Sequence, residues 1–438
     1  MTVKIIGAGM AGIEAANYLA NHGIKVKLYE MRPVKMTEAH KTEKFGELVC
    51  SNSLRSNLID VAAGALKQEM SLLGSLVMES ANINRVEAGS ALAVSREEFS
   101  EYITNKLKNN PNIEICLEEV KELNPDEYTI VCTGPLTSLD MASYIKSLFG
   151  LEDFYFFDAQ APIIKASSIN YDICYFKSRY DKGEASYLNC PMTKDQYDLF
   201  YNELINAKEA ELHDFDQDLK VFEGCMPVEV MAKRGHDALL YGPLKPMGLT
   251  KDINNKPYAV VQLRQDDSAK TLYNLVGFQT HLAFSEQKRV FSLIPGLENM
   301  EIVKYGRMHK NTYINSPKIL NTYYQCKQYP KIFFAGQITG VEGYIESASS
   351  GILAAINMLR LIEGNELLKF PKETIMGSLA DYISSYHEEF IPMNANYGIV
   401  PELEDVKGRP SKKERKEMYG TRAVNKMKEF IDLWKIKI

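Results

Sequence analysis

The chain has 438 residues, 45% of them hydrophobic and 25% charged, a balance that gives room for two or three folded domains and excludes a disordered or fibrous chain. The formal net charge of −6 excludes a polycation, so any nucleic-acid contact has to use a local basic surface. The seven cysteines (Cys50, Cys116, Cys132, Cys174, Cys190, Cys225 and Cys326) form no CxxC pair and no zinc-spaced cluster with histidine, which favours a reduced compartment over a disulfide framework.

In chain order, Val3–Ile6 reads as a short buried strand, Ala11–Leu19 as a helix, and Lys25–Tyr29 as a second strand ending at Glu30. Strand, glycine turn, helix and strand make the opening of a parallel α/β unit. The N-terminus lacks the basic region, apolar core and cleavage site of a signal peptide. No apolar run approaches the ~20 residues that cross a bilayer. The expectation is a cytoplasmic protein without membrane contact. Residues 45–56 read as a polar loop. Val61, Leu66, Met70, Leu73 and Val77 recur at near-helical spacing and predict one helix over 60–80. Ile113–Leu117 and Thr129–Cys132 read as further strands.

From about 140 to 300 the texture changes to short β-like runs (161–166, 258–263, 272–276) among charged helical stretches, as in an inserted α+β domain. Lys331–Ala335 is another strand, feeding glycines and a helix over Ser350–Ile362, which resumes the first domain. The tail from Lys407 to Ile438 carries 11 Lys and Arg against 4 Asp and Glu. It reads as a solvated amphipathic helix, with contact to RNA phosphates as the functional alternative.

Gly7-Ala8-Gly9-Met10-Ala11-Gly12 is a GxGxxG turn between a strand and a helix, with Glu30 closing the next strand. Gly7 permits the tight turn, Gly9 lets backbone approach a pyrophosphate, and Gly12 lets the helix pack on the strand. The helix N-terminus offers free N–H groups to phosphates, and Glu30 offers a carboxylate to ribose hydroxyls. A distant Phe333-Phe334-Ala335-Gly336-Gln337-Ile338-Thr339-Gly340 block, with Thr133-Gly134 after another strand, favours FAD over NAD. The expected fold is therefore α/β: a Rossmann-like FAD-binding domain built from 1–138 and 300–438, interrupted by an inserted α+β domain at 139–299 that carries Cys225.

Three blocks carry a family resemblance. They are Gly46–Arg55 around Cys50, Phe222–Glu229 around Cys225, and Ala335–Ala348 including Tyr344. In order, spacing and total length the chain resembles the TrmFO family of folate- and FAD-dependent tRNA (uracil-5-)-methyltransferases, relatives of the wobble-uridine flavoprotein MnmG. The resemblance implies a one-carbon unit from 5,10-methylenetetrahydrofolate delivered to C5 of a T-loop uracil. FAD, reduced by NADPH or NADH, supplies the electrons that make the methyl group. It also implies Cys225 as the nucleophile on C6 and Cys50 as a partner in C5 deprotonation or flavin protection. C5 of uracil is a poor nucleophile, and thiolate addition at C6 makes it enolate-like. No protein partner is implied.

The other cysteines read as core or without catalytic context, Cys116 and Cys132 as core strand residues. Tyr344 is placed either to stack on pterin or flavin or to pack in the core. Arg264, and Arg307 with His309, are candidates for folate carboxylates or RNA phosphates, with surface ion pairs as the alternative. His281 is a candidate ligand-facing residue. Lys233, Arg234 and His236 lie downstream of Cys225. Two other readings stay open: the same chemistry on a uridine of 23S ribosomal RNA, and a flavin oxidoreductase or non-methylating RNA-binding flavoprotein.

Overall fold

The computed structural model describes residues 1–150, 155–181, 184–210, 226–251, 256–404, 406 and 408–438. Five parallel strands form the first sheet, in the order Ile332–Phe334, Thr129–Val131, Thr2–Ile6, Lys25–Tyr29, Ile113–Cys116. Parallel strands buried on both faces need near-continuous apolar runs, and Val3, Ile5, Leu28, Ile130, Val131, Phe333 and Phe334 are all without solvent exposure. The strand latest in sequence pairs at the edge beside Thr129–Val131, so the last third of the chain completes the fold begun by the first.

Two helices cover the central strand, Met10–Asn21 and Tyr344–Ile362. They approach closely because the second carries Gly351 at the contact, while Gly12 of the first lets that helix close on the turn before it. A Cβ on Gly351 would lie 2.2 Å from the Ala11 carbonyl oxygen, and one on Gly12 would lie 1.8 Å from that of Gly7. The second helix begins six residues earlier than the sequence pattern predicts, at Tyr344. At 19 residues, it is long and apolar enough to cross a membrane by length and composition, contrary to the reading that no apolar run comes close. Its apolarity serves the interior: 83% of that stretch is buried against the first domain.

The predicted helix over 60–80 is two helices, Ala62–Leu72 and Leu76–Ile83. Gly74 (φ +71°) breaks the run, and Ser75 caps the second helix with a hydrogen bond from the Met78 N–H. Buried Glu14 also accepts from the Leu76 and Val77 N–H groups, so its carboxylate sits on the helix N-terminus. The predicted loop at 45–56 ends in a strand, Ser53–Ser56, in a three-stranded antiparallel sheet with Ala91–Val94 and Arg85–Val86.

The second large sheet is antiparallel and six-stranded, in the order Tyr175–Phe176, Leu188–Met192, Ala259–Gln265, Leu272–Leu275, Ile163–Lys165, Ile302–Lys304. Its last strand lies past residue 299. One face carries a separate core that includes Leu188, Cys190, Val261, Leu263, Tyr273 and Leu275. The chain enters and leaves this unit through one antiparallel ribbon, Tyr155–Ala159 against Met308–Thr312. The tail forms the helix Lys412–Trp434, started by a reciprocal Ser411–Glu414 capping box. Gly420, Ala423, Val424, Met427, Phe430 and Ile431 make its buried stripe.

Candidate active site

A cleft of about 990 Å³ opens at the C-terminal ends of the parallel strands, where α/β folds of this kind bind ligands. Its floor is the turn after the first strand. Gly7 adopts φ +102°, and a Cβ there would lie 2.5 Å from the Cys132 carbonyl oxygen. Among the described residues nothing lies within 4 Å of where a Gly9 Cβ would be, so the helix N-terminus faces open space. No side chain caps that helix, which leaves its first N–H groups directed at the cleft. Gly7, Gly9, Met10, Ala11, Glu30, Thr133, Gly134, Gly336, Gln337 and Tyr344 all line the cleft. Ala8 sits behind it and donates its N–H to Glu30 (3.1 Å). Gly12 packs beneath the turn, and Gly340 faces away, its missing Cβ filled by the Phe390 ring at 2.6 Å.

Glu30 does not stand free for a ribose. Its two oxygens accept from the Arg32 N–H (3.1 Å), Arg32 Nε (2.9 Å), Arg32 Nη2 (3.2 Å) and the Ala8 N–H. Burial raises the Glu30 pKa, but the Arg32 and Ala8 hydrogen bonds outweigh it and hold the carboxyl below its ordinary value. Arg32 is itself fixed by Glu47 (3.2 Å) and the Thr42 carbonyl (3.0 Å). It lines the cleft and was missed in the sequence, although its place two residues after Glu30 is the available signal. An uncapped helix end, a glycine floor and a carboxylate–guanidinium pair together suit a dinucleotide: anion at the helix, ribose and base towards Glu30 and Arg32.

Val49 and Tyr344 line the cleft, and Cys50 sits behind them, tied to Tyr344. The Tyr344 hydroxyl accepts from the Cys50 N–H (2.8 Å) and shares a 3.0 Å hydrogen bond with its Sγ. Burial, and then Cys50, push the Tyr344 pKa far up, so the hydroxyl keeps its proton. Tyr344 opens its helix directly after Gly343 (φ +121°), a backbone angle that suits glycine.

The loop bearing Cys50 is held from several sides. Arg96 donates to the Leu48 and Cys50 carbonyls and pairs with Asp266 (2.9 and 3.0 Å). Lys304 donates to the Val49 carbonyl (2.9 Å); burial, then nearby Arg96, lower its pKa to about 8. Asn52 donates to the Gln265 carbonyl (2.8 Å) and accepts from Arg264 Nε (2.9 Å), while Arg264 Nη2 reaches Ser51 (2.8 Å). Arg264 is therefore spent on joining the two units, not free for folate or phosphate as the sequence reading allowed. Arg96, Lys304 and Asp266 carried no local motif that would have singled them out.

Cys225 lies outside the described residues. The chain re-enters them at Met226, which is buried, and the Val228 N–H donates to the Gln279 carbonyl (2.7 Å). Of the cations downstream, Lys233 pairs with Glu209, and His236 bridges Asp198 and Asp237 at 2.8 Å each, so these two are engaged elsewhere. His281 is buried with no partner on Nε2 among the described residues, and burial lowers its pKa. Arg307 stacks over Phe284 (5.0 Å), and the His309 side chain lies outside what is described. Cys132 is core as expected. Cys116 is not: it is half-buried on the edge strand. Cys174 and Cys190 meet at 3.3 Å in the second core, and Cys326 is buried.

A family profile described as "Glucose inhibited division protein A" matches residues 2–366. A methylenetetrahydrofolate--tRNA-(uracil-5-)-methyltransferase TrmFO of Acholeplasma laidlawii is 57% identical over 430 residues, covering 98% of this chain and 99% of that one. The protein of the same name from Bacillus subtilis is 56% identical over 425 residues, 97% of each chain. Among solved structures, Aquifex aeolicus GidA superposes with a TM-score of 0.69 over 99% of this chain and 75% of that one, at 16% identity. That likeness supports the Rossmann-like flavoprotein fold.

Proposed function

The chain belongs to the TrmFO family within the wider glucose inhibited division protein A family, and from that membership we propose that it is a methylenetetrahydrofolate- and FAD-dependent methyltransferase forming 5-methyluridine in the T-loop of tRNA. The observation that carries this reading is the hydrogen bond between Cys50 and Tyr344, a residue that lines the same dinucleotide cleft as Glu30, Arg32 and the glycine turn. FAD would be held at its phosphates by the helix N-terminus behind Gly9 and at its adenosine by Glu30 and Arg32. Its chemistry, when bound, is the supply of two electrons that turn a transferred methylene into methyl, with NADPH or NADH as their source.

The chain's own residues do the rest. The Cys225 thiolate adds to C6 of the uracil, and C5 then attacks the electrophilic carbon of the folate. As C5 bonds to that carbon one of its two C–N bonds to the folate breaks; loss of the C5 proton then breaks the second and releases tetrahydrofolate, and two electrons with a proton added at the exocyclic carbon would expel the thiolate and restore the pyrimidine as its 5-methyl form. Cys50, hydrogen-bonded to a tyrosine hydroxyl that stays protonated, assists that proton removal or guards the flavin. RNA phosphates find a local positive surface at Lys412, Lys413, Arg415 and Lys416, all exposed at the start of the C-terminal helix.

The test offers holoenzyme, NADPH and methylenetetrahydrofolate to unmodified tRNA and to unmodified 23S rRNA separately, and maps 5-methyluridine by mass spectrometry. The expected result is one new 5-methyluridine, in the tRNA T-loop, and none in rRNA. Cys225→Ala should bind FAD normally and form neither product nor a covalent RNA adduct. Methylation of rRNA alone, or full activity of that variant, would contradict the reading.

A further inference from the structure

One row of residues crosses the antiparallel sheet: Arg264 opposite Asn274 and Asn274 opposite Ile163, with Lys304 set opposite Ile163 by a register shift between Ile302 and Lys304. Residues directly opposite on neighbouring strands share a face and stand about 5 Å apart. The row's two ends show where that face points. Arg264 reaches Ser51 and Asn52, and Lys304 reaches the Val49 carbonyl, so the row lies against the loop that carries Cys50. Asn274 sits between them, 3% exposed, and its Nδ2 has no hydrogen-bond partner among the described residues. A buried amide with an unused donor is rare in folded proteins, because the group gives up its hydrogen bonds to water and gains none.

We propose that Asn274 is a specificity-determining residue that reads the cyclic amide edge of the heterocycle brought to Cys50. That edge presents an N–H beside a C=O. A carboxamide matches it with two antiparallel hydrogen bonds, its NH2 donating to the ring carbonyl and its oxygen accepting from the ring N–H. Uracil and pterin both carry this edge. The inference rests on the proposed reaction for the identity of the two heterocycles.

The test is equilibrium binding to the FAD-loaded protein, with tetrahydrofolate in one titration and unmodified tRNA in the other, for wild type, Asn274→Ala and Asn274→Asp. One of the two dissociation constants should rise about tenfold in Asn274→Ala, as expected for losing a hydrogen-bonded pair to a neutral group, while the other stays put. The affected arm identifies pterin or pyrimidine. Asn274→Asp should bind more weakly still, because its oxygens oppose the ring carbonyl. Flavin content should match wild type, and Asn274→Ala should melt no lower, since no side-chain hydrogen bond among the described residues is removed. Unchanged constants in both arms, or a lowered melting temperature with unchanged binding, would overturn the inference. Wild-type protein that binds either ligand yet forms no 5-methyluridine would count against the proposed reaction alone. Binding of neither would sink both.

Discussion

Gly12→Val is expected to purify without flavin. The Cβ of any side chain at this position would lie 1.8 Å from the Gly7 carbonyl oxygen, 3.0 Å from its carbon and 3.3 Å from the Cys132 Cβ. Two of these atoms are backbone of the turn that forms the cleft floor, so no rotamer relieves the overlap. The helix Met10–Asn21 has to lift off the strand, and the N–H groups facing the cleft leave with it. Flavin affinity is expected to fall by more than about a hundredfold, near 3 kcal/mol, the scale set by losing several phosphate contacts and the helix dipole behind them. The visible flavin band of the purified protein, and flavin released on denaturation, report it. Stoichiometric FAD in this variant would show that the turn does not form the site.

The second large effect is on stability. Arg96→Leu strips the partner from Asp266, whose side chain is only 4% exposed, and removes the donor to the Leu48 and Cys50 carbonyls. A buried carboxylate left without its cation typically costs about 3–5 kcal/mol. The expected outcome is a loss of that size in denaturant unfolding. Combining Arg96→Leu with Asp266→Asn should recover part of it, because no uncompensated charge remains. A single variant as stable as wild type would mean that the Cys50 loop is held by Lys304 and Asn52 alone.

The glycine turn was legible because each of its features is local: a strand, three glycines at fixed spacing, a helix and an acidic residue answer to backbone sterics within thirty residues. The same holds for Gly336 and for the tail, whose amphipathic helix is a local pattern. Arg264 misled for the opposite reason. Its sequence context is an ordinary strand, and only the docking of one sheet on the Cys50 loop reveals that its guanidinium is committed to Asn52 and Ser51. Arg96, Lys304 and Asp266 come from three separate parts of the chain and meet only through tertiary packing. The 60–80 run deceived because hydrophobic spacing stays near-helical across Gly74, where the positive φ and the Ser75 cap start a new helix. Cys116 shows the limit of apolar context: its strand is an edge, and edges leave one side open.

The reading depends above all on where the methyl carbon comes from. Holoenzyme, NADPH and unmodified tRNA are incubated either with methylenetetrahydrofolate labelled at its methylene carbon or with S-adenosylmethionine labelled at its methyl, and label is counted in the purified RNA. Incorporation from the folate, with none from S-adenosylmethionine, is the predicted result. Label arriving from S-adenosylmethionine, or 5-methyluridine appearing without folate carbon in it, would contradict the account.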